Sequence, residues 1–385
     1  MTDSRAVFTK YEDRYVLMHV VGNTAENIYV YPNLEGGMIG NVYNCVAEKR
    51  MENFGKCFVR YDRKCSGFIN KDIKSGTVLP LQYKKDGVDD KQPLFTDKIV
   101  LEGEYVVAML GQAFVKTSRK ASYNDGIIPK DLIAFSKENN IGIILRTKAC
   151  IMPESDSKIW QELNAIKSVF DDISKRSSHA PAYTLLYTPL PVFVKDMMYL
   201  IDRGIDEIVT DDDEIKEKLS FTYDGITGPV NVTDRVSLRL YEDKLLKLSK
   251  LYSFDAKITE ALSRKVYLKS GAFITFDHTE ALCAVDVNSA SAKGITGSEE
   301  SILAVNCEAA VEIARQLRLR NISGMIIIDF INMERRECYD KLEKTLKDSI
   351  AQDRISTSFV DFTGLKLAEI TRKRTGNSLF AVMKR

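Results

Sequence analysis

The sequence is poor in histidine and has no closely spaced cysteine pair. Its three histidines are His19, His179 and His278, and its cysteines form no CxxC motif. Structural zinc sites need cysteine and histidine at short, fixed spacings. The sequence therefore predicts no structural zinc. Only His278 lies near the acidic motifs of the C-terminal region, and because a single histidine there is more often structural than catalytic, it is assigned no role.

Long apolar runs are also absent. No stretch approaches the roughly 18 apolar residues that a membrane-spanning helix requires, and the N-terminus has no secretory signal pattern. The seven cysteines are an odd number scattered along the chain. Because this pattern is typical of unpaired thiols in a reducing compartment, we expect a cytoplasmic protein with no membrane contact.

The chain has no large net charge, only +1 over 385 residues. Overall charge therefore cannot attract a polyanion, and any anionic partner must be bound by local basic clusters. At about 150 residues per domain, the length allows two or three domains.

Short strands separated by turn residues predict a small barrel after the N-terminal region. Strands are predicted at Tyr15–Val21 and Asn27–Tyr31, and then in the barrel at Met38–Val42, Cys57–Tyr61, Gly67–Ile69 and Tyr105–Met109. The polar residues 70–98 predict a long loop. Further on, strands are predicted at Ile141–Leu145 and Ile205–Thr210, and helices at Ile159–Arg176 and Val192–Arg203.

Two apolar runs near the C-terminus each deliver an aspartate. Asp286 follows Ala284-Val285, and Asp329 follows Ile326–Ile328. The segment between them predicts a helix that begins after Ser298 as N-cap. A strand–helix–strand unit normally makes its two strands parallel, which brings both aspartates to one sheet edge. Two convergent carboxylates there predict a Mg²⁺ site for phosphate chemistry.

Either aspartate alone is more often a turn cap than a ligand. The pair is a stronger signal, and Asn288 adds to it because residues two apart on a strand face the same way. An asparagine amide can donate to a phosphate oxygen, and its carbonyl can accept from water or bind a metal.

Around these residues the sequence resembles the ribonuclease E/G family. The matching segments are 279–289, 308–320, 323–331, 352–354, 364–365 and 371–374. The resemblance implies an α/β multidomain fold, with an OB-fold RNA-binding domain and a 5′-sensor domain inserted into a split RNase H-like domain, followed by a DNase I-like catalytic domain. The domains would be 1–36 with 191–262 (RNase H-like), 37–118 (OB fold), 119–190 (5′ sensor) and 263–385 (DNase I-like).

The resemblance also implies roles for residues. Asp286 and Asp329 correspond to the family's metal ligands, and Asn288 to its catalytic asparagine. Arg146-Thr147 corresponds to the pocket for an RNA 5′-monophosphate, although an ordinary surface arginine after a strand is the alternative on sequence alone. Arginine can bind phosphate with two hydrogen bonds, and a threonine hydroxyl can add another donor.

Two aromatic residues and two basic stretches are candidates for RNA contact. Phe58 and Phe68 would stack on bases, or would instead fill the barrel core. The stretches Arg315–Arg320 and Arg372–Arg374 would bind phosphates. The alternative for the first stretch is a solvated helix face.

The sequence departs from the family pattern in several places. The cysteine motif that forms a zinc-linked dimer in the family is missing. If this chain forms a homo-oligomer, we therefore expect its subunits to associate without a zinc link. Residues 124–130 replace the basic segment that precedes the sensor Arg-Thr pair in the family, and Asn332 stands where a second aspartate is usual. These differences bear on 5′ sensing more than on cleavage.

The predicted function is a Mg²⁺-dependent endoribonuclease that cuts single-stranded RNA and leaves 5′-phosphate and 3′-hydroxyl ends. The alternative is a non-catalytic RNA-binding or ribosome-associated protein on a degenerate nuclease scaffold. A third hypothesis is a Mg²⁺ phosphoesterase with a substrate other than RNA. The predicted barrel, with its candidate residues for stacking on bases, argues against this hypothesis.

Overall fold

The structure of the chain is a computed structural model that describes residues 3–35, 37–51, 55–87, 92–118, 128–150, 157–224, 226, 228–243, 245–279, 281–289 and 298–383. The chain divides into two units. The first comprises 1–34, 196–217 and 233–385, and the second comprises 35–195 and 218–232. No helix among the described ranges combines the length and apolar character needed to cross a bilayer.

The strands alternate with the helices along most of the chain. The strands are β1 (Ser4–Tyr11), β2 (Arg14–Val21), β3 (Thr24–Tyr31), β4 (Val42–Met51), β5 (Lys56–Arg60), β6 (Ser66–Ile69), β7 (Val78–Lys85), β8 (Leu94–Thr96), β9 (Val100–Glu102), β10 (Val106–Leu110), β11 (Phe114–Thr117), β12 (Ile141–Leu145), β13 (Leu185–Tyr187), β14 (Glu207–Thr210), β15 (Thr222–Asp224), β16 (Gly228–Val230), β17 (Ser237–Leu240), β18 (Lys265–Tyr267), β19 (Phe273–His278), β20 (Leu282–Asn288), β21 (Gly324–Asp329), β22 (Thr357–Phe362) and β23 (Ala368–Arg372). The helices are α1 (Lys130–Asn139), α2 (Thr147–Cys150), α3 (Ser157–His179), α4 (Val192–Asp202), α5 (Asp213–Ser220), α6 (Leu248–Leu251), α7 (Phe254–Leu262), α8 (Glu299–Leu319), α9 (Arg336–Ala351) and α10 (Leu379–Met383).

Among its described residues, the first unit contains two sheets. The smaller has the order β17-β14-β1-β2-β3, with β1 parallel to β14 and antiparallel to β2. Its apolar face packs against α6, α7 and α10 through residues such as Val7, Met18 and Phe254.

The larger sheet has the order β18-β19-β20-β21-β23-β22. Strands β20 and β21 are its parallel pair, and α8 crosses between them. The hydroxyl oxygen of Ser298 accepts a hydrogen bond from the Ser301 backbone N–H, which confirms the predicted N-cap of α8. One face of the sheet packs against α8 and α9 around residues such as Ile313, Ile328 and Leu342.

The opposite face of this sheet carries exposed or half-exposed residues along each central strand. The two edge strands of the larger sheet are short or irregular. Strand β18 has only three residues, and the pairing of β22 with β23 shifts register between Phe359 and Phe362.

The second unit contains a closed five-stranded barrel with the order β4-β5-β6-β8-β7, in which β7 pairs back with β4. This is the architecture of an OB fold. Its core holds Val59, Ile69, Leu81 and Phe95. The chain is therefore a mixed α/β protein with an OB-like barrel, as predicted.

Three predictions for this region were wrong. The strand predicted at Met38–Val42 is a turn, since Gly40 has φ +95° and Asn41 N–H donates to Met38 O; strand β4 begins only at Val42. The predicted loop 70–98 contains β7 and β8. The strand predicted at Tyr105–Met109 forms as β10, but it pairs with β9 and β12 rather than with the barrel.

Strands β9 to β12 form the second sheet of this unit, in the order β11-β12-β10-β9. Helix α3 packs on it through Leu163, Ile166 and Phe170. The buried Glu162 of α3 accepts hydrogen bonds from the backbone N–H groups of residues 104–106, and its burial raises the pKa of the carboxyl.

Candidate active site

Asp286 and Asp329 lie directly opposite each other in the parallel register of β20 and β21. On β20, the apolar residues Cys283, Val285 and Val287 point into the core, so the alternation of the strand puts Asp286 on the open face. Ile328 is buried in the same way and Asp329 is exposed. The predicted convergence of the two carboxylates is therefore found on the open face of the larger sheet.

Asn288 lies on the same face, two residues beyond Asp286. Its amide nitrogen donates a hydrogen bond of 2.5 Å to an oxygen of the Asp286 carboxylate. This bond orients the carboxylate. The side-chain carbonyl oxygen of Asn288 has no hydrogen-bond donor within the described part of the chain. It therefore remains able to accept a hydrogen bond from water or to bind a metal.

This donor set fits a hard divalent cation. Mg²⁺ in phosphate-processing sites is usually bound by one or two carboxylates, with water and substrate phosphate completing the octahedron. Asp286 and Asp329 supply two carboxylates on adjacent strands, which lie about 4.8 Å apart. Within the described ranges, no group of three or more acidic, histidine or cysteine side chains could hold a metal.

The neighbouring strands place further polar and aromatic side chains on this face. In register, Lys265, Thr275, Asp286 and Asp329 form one row across four strands. A second row consists of Tyr267, Phe273 and Asn288. Lys265, Tyr267 and Phe273 are not among the residues predicted from the sequence. The signal that could have found them is the alternation in Lys265-Val266-Tyr267, where one valine separates a cationic and an aromatic residue.

Two segments close in sequence to the predicted site residues lie outside the described part of the chain. Residues 290–297, which follow β20 in sequence, are not among those described. Residues 119–127 also lie outside the described part of the chain. They include part of the segment 124–130, which differs from the family pattern before Arg146-Thr147.

Phe58 and Phe68 lie opposite each other on β5 and β6 and are half-buried on the outside of the barrel. Their neighbours in sequence, Cys57 and Val59 among them, fill the core instead. The ammonium group of Lys56 lies 5.4 Å from the centre of the Phe68 ring. The core alternative for these two phenylalanines is therefore excluded.

Arg146 and Thr147 lie at the junction of β12 and α2. A guanidinium nitrogen of Arg146 donates to the backbone oxygen of Gly103 at 2.7 Å, and the side chain is exposed. The Thr147 hydroxyl lies 3.5 Å from that of Ser118. The two candidate sensor residues are adjacent and accessible to solvent.

The two predicted arginines of the last basic stretch lie in different surroundings. Arg372 is buried, and its guanidinium donates to Asp353 at 2.7 Å and to Asn321 at 2.8 Å. The predicted phosphate contact does not fit this burial. Arg374 is exposed beside Gly324, and it has no ion-pair partner within the described part of the chain.

Arg374 lines an open cleft of about 490 Å³ on the larger sheet. Its other lining residues include Ser356, Ser358, Thr371 and Lys373. Two cationic side chains among hydroxyl groups are suited to phosphate oxygens.

The basic stretch at the end of α8 is neither a phosphate surface nor a solvated face. Arg315 pairs with Glu312 at 2.6 Å, and Arg318 lies 3.9 Å from Glu26, with both arginine side chains largely buried. Arg320 is buried as well, and this burial lowers its pKa to about 10. These arginines therefore belong to the interior of the fold, and Arg318 links α8 to Glu26 of β3.

The sequence of this chain is similar to those of known proteins. A sequence profile of the ribonuclease E/G family matches residues 100–375. Ribonuclease G of Escherichia coli K12 is 27% identical over 95% of this chain and 78% of its own length. Ribonuclease E of Nostoc sp. strain PCC 7120 is 31% identical over 89% of this chain and 52% of its own length. Ribonuclease G of Haemophilus influenzae is 29% identical, over 82% and 63% respectively.

Proposed function

The chain belongs to the ribonuclease E/G family, and on that premise we propose that it is a Mg²⁺-dependent endoribonuclease that cuts single-stranded RNA. The observation that carries the proposal is the register pair Asp286–Asp329 on an open sheet face, with Asn288 bonded to the first carboxylate. The cytoplasm stays the predicted compartment.

Asp286 and Asp329 would hold the cation. When bound, Mg²⁺ would activate a water molecule and neutralise negative charge on the scissile phosphate. Asn288 keeps the Asp286 carboxylate in one orientation through its amide nitrogen. By similarity to the family, the products would carry a 5′-phosphate and a 3′-hydroxyl.

RNA would also contact the barrel and the basic cleft. Phe58 and Phe68 present aromatic surface on the outside of the barrel, and single-stranded bases stack on such surface without strong sequence preference. Arg374 and Lys373 would bind backbone phosphates. Arg146 and Thr147 would bind a 5′-monophosphate, since they are adjacent and accessible.

The test is cleavage of an end-labelled single-stranded RNA with and without Mg²⁺. Asp286→Asn and Asp329→Asn should each abolish Mg²⁺-dependent cutting while circular dichroism and thermal unfolding stay as in the wild type. Asp348→Asn, on the exposed side of α9, is the matched control and should cut normally. Undiminished cutting by both active-site variants would contradict the proposal, and RNA binding by a wild-type protein that never cuts would favour the non-catalytic alternative.

A further inference from the structure

We infer that Tyr267, supported by Phe273, stacks on a nucleobase of the RNA next to the scissile phosphate, and that Lys265 binds the phosphate flanking that base. The inference rests on the proposed nuclease function and adds a substrate subsite to the same face of the sheet. It concerns single-stranded RNA, whose unstacked bases are available to aromatic side chains.

Tyr267 is an aromatic side chain that the fold does not use. It is 71% exposed on the edge strand β18. Its hydroxyl has no hydrogen-bond partner in the described ranges of the chain. The Phe273 ring supports it from the neighbouring strand, with the two ring centres 6.2 Å apart and the planes at 57°. An exposed aromatic residue with a ring behind it offers a stacking surface at low entropic cost.

Lys265 supplies a positive charge at the same place. Its ammonium nitrogen lies 3.5 Å from the centre of the Phe273 ring and 4.7 Å from that of Tyr267. No carboxylate of the described residues forms an ion pair with it. The two rings therefore hold an uncompensated cation in position before any phosphate arrives.

The cross-strand register connects this group to the active site. Phe273 lies opposite Asn288, and Lys265 shares a row with Asp286, with Thr275 between them. Adjacent strands are about 4.8 Å apart, so Lys265 is roughly 10 Å from Asp286 across the sheet. A base on Tyr267 would therefore be near the nucleotide whose phosphate is at Asp286.

The first experiment measures stacking without cutting. RNAs carrying 2-aminopurine at single positions around the mapped cut site are bound to the Asp329→Asn protein. We expect fluorescence quenching at one position flanking the cut. That quenching should be lost when Tyr267→Ala is added and kept with Tyr267→Trp. Quenching that is absent at every position, or unchanged by Tyr267→Ala, would overturn the inference.

The second experiment measures cutting. Stacking on an aromatic residue typically changes affinity by a factor of about 5 to 150. We therefore expect kcat/KM for Tyr267→Ala to be lower than for the wild type by a factor in that range. An abasic site at the flanking nucleotide should cost the wild type the same factor and cost Tyr267→Ala nothing more. Phe221→Ala, which removes another exposed aromatic side chain (66% exposed), is the control and should cut at the wild-type rate.

These results separate the two proposals. If Tyr267→Ala cuts at the wild-type rate while Asp286→Asn does not cut, the stacking subsite is wrong and the nuclease proposal stands. If the wild type does not cut RNA, no cut site can be mapped, and the nuclease proposal and the subsite that rests on it fail together. Lys265→Gln should lower the slope of log affinity against log salt by about 0.7, the value for one phosphate contact on a single strand. An unchanged slope would remove Lys265 from the subsite.

Discussion

Arg372 and Arg374 are two residues apart, yet one is enclosed by the protein and the other faces solvent. The side chain of Arg372 forms a buried ion pair with Asp353, while Arg374 lies exposed over Gly324. Residues two apart on a strand share a face, but β23 ends at Arg372, so the alternation stops between them. This difference makes the two arginines a matched pair for experiment.

Arg372→Ala should destabilise the fold, and Arg374→Ala should weaken RNA binding instead. Removing one partner of a buried ion pair costs about 3–5 kcal/mol because the other charge is left unpaired. Replacing an exposed side chain changes stability by no more than about 0.5 kcal/mol. Urea unfolding and RNA binding at two salt concentrations check both statements. Equal stability of the two variants would contradict the assignment of Arg372 to the interior.

Asn288→Ala should reduce cutting at least tenfold because the Asp286 carboxylate loses the amide that orients it. Asn288→Asp is the sharper variant, since it keeps the shape but places a third negative charge beside the phosphate. We expect it to cut more slowly than wild type at every Mg²⁺ concentration. A Mg²⁺ titration of the cleavage rate measures this, and wild-type rates in both variants would exclude a role for Asn288.

Phe68→Ala should lower affinity for single-stranded RNA by about 1–3 kcal/mol if a base stacks on it. Phe58→Ala should have a similar effect, since the two rings lie opposite each other on the barrel. Val78→Ala is the control because Val78 is an exposed apolar residue (45%) on another strand of the same barrel. Fluorescence anisotropy with a labelled oligonucleotide gives the affinities, and equal losses in all three variants would point to a general effect on the barrel.

Arg146→Ala should remove any preference for RNA with a 5′-monophosphate over RNA with a 5′-triphosphate. The rate on the triphosphate substrate should stay as in the wild type, because Asp286 and Asp329 are untouched. Lys148→Ala is the control, since Lys148 is the next cation along the chain and pairs with Glu104 at 2.8 Å. A wild-type protein that cuts both substrates equally would show that Arg146 has no sensing role.

His19 should make folding stability depend on pH. Burial lowers the pKa of His19, and its ring lies 3.0 Å from the Ser4 hydroxyl and 3.4 Å from the Asn27 amide oxygen. Below about pH 6.5, the unfolded chain takes up a proton at this histidine before the folded protein does. The free energy of unfolding should therefore decrease as the pH is lowered below about 6.5. Urea unfolding at pH 7.5 and 5.5 should show a smaller decrease for His19→Gln, and identical decreases would exclude the effect.

The position of the two carboxylates, Asp286 and Asp329, was predictable because their signals are local. Apolar runs ending in Asp286 and Asp329, with a capped helix between them, determine a parallel strand pair almost without reference to the rest of the chain. The helix prediction for 159–176 succeeded for the same reason, since its apolar spacing is regular.

Other features depend on pairing partners that no local pattern reveals. Strand β7 lies in a stretch rich in polar residues, so its place in the barrel was missed although Leu81 and Tyr83 fill the barrel core. Its buried Gln82 forms hydrogen bonds with the backbone of Gly40 and Val100. The subsite at Tyr267 is likewise a product of cross-strand register. Sequence spacing alone does not bring Tyr267 close to Asn288.

The edges of the larger sheet affect how the protein behaves in concentrated solution. A sheet with one bare face and exposed edges is prone to pair with the sheets of other molecules. Here the three-residue β18 is too short to template another chain, and the register shift in β22 interrupts its hydrogen-bonding row. The sheet can therefore keep one face uncovered without inviting edge-to-edge aggregation.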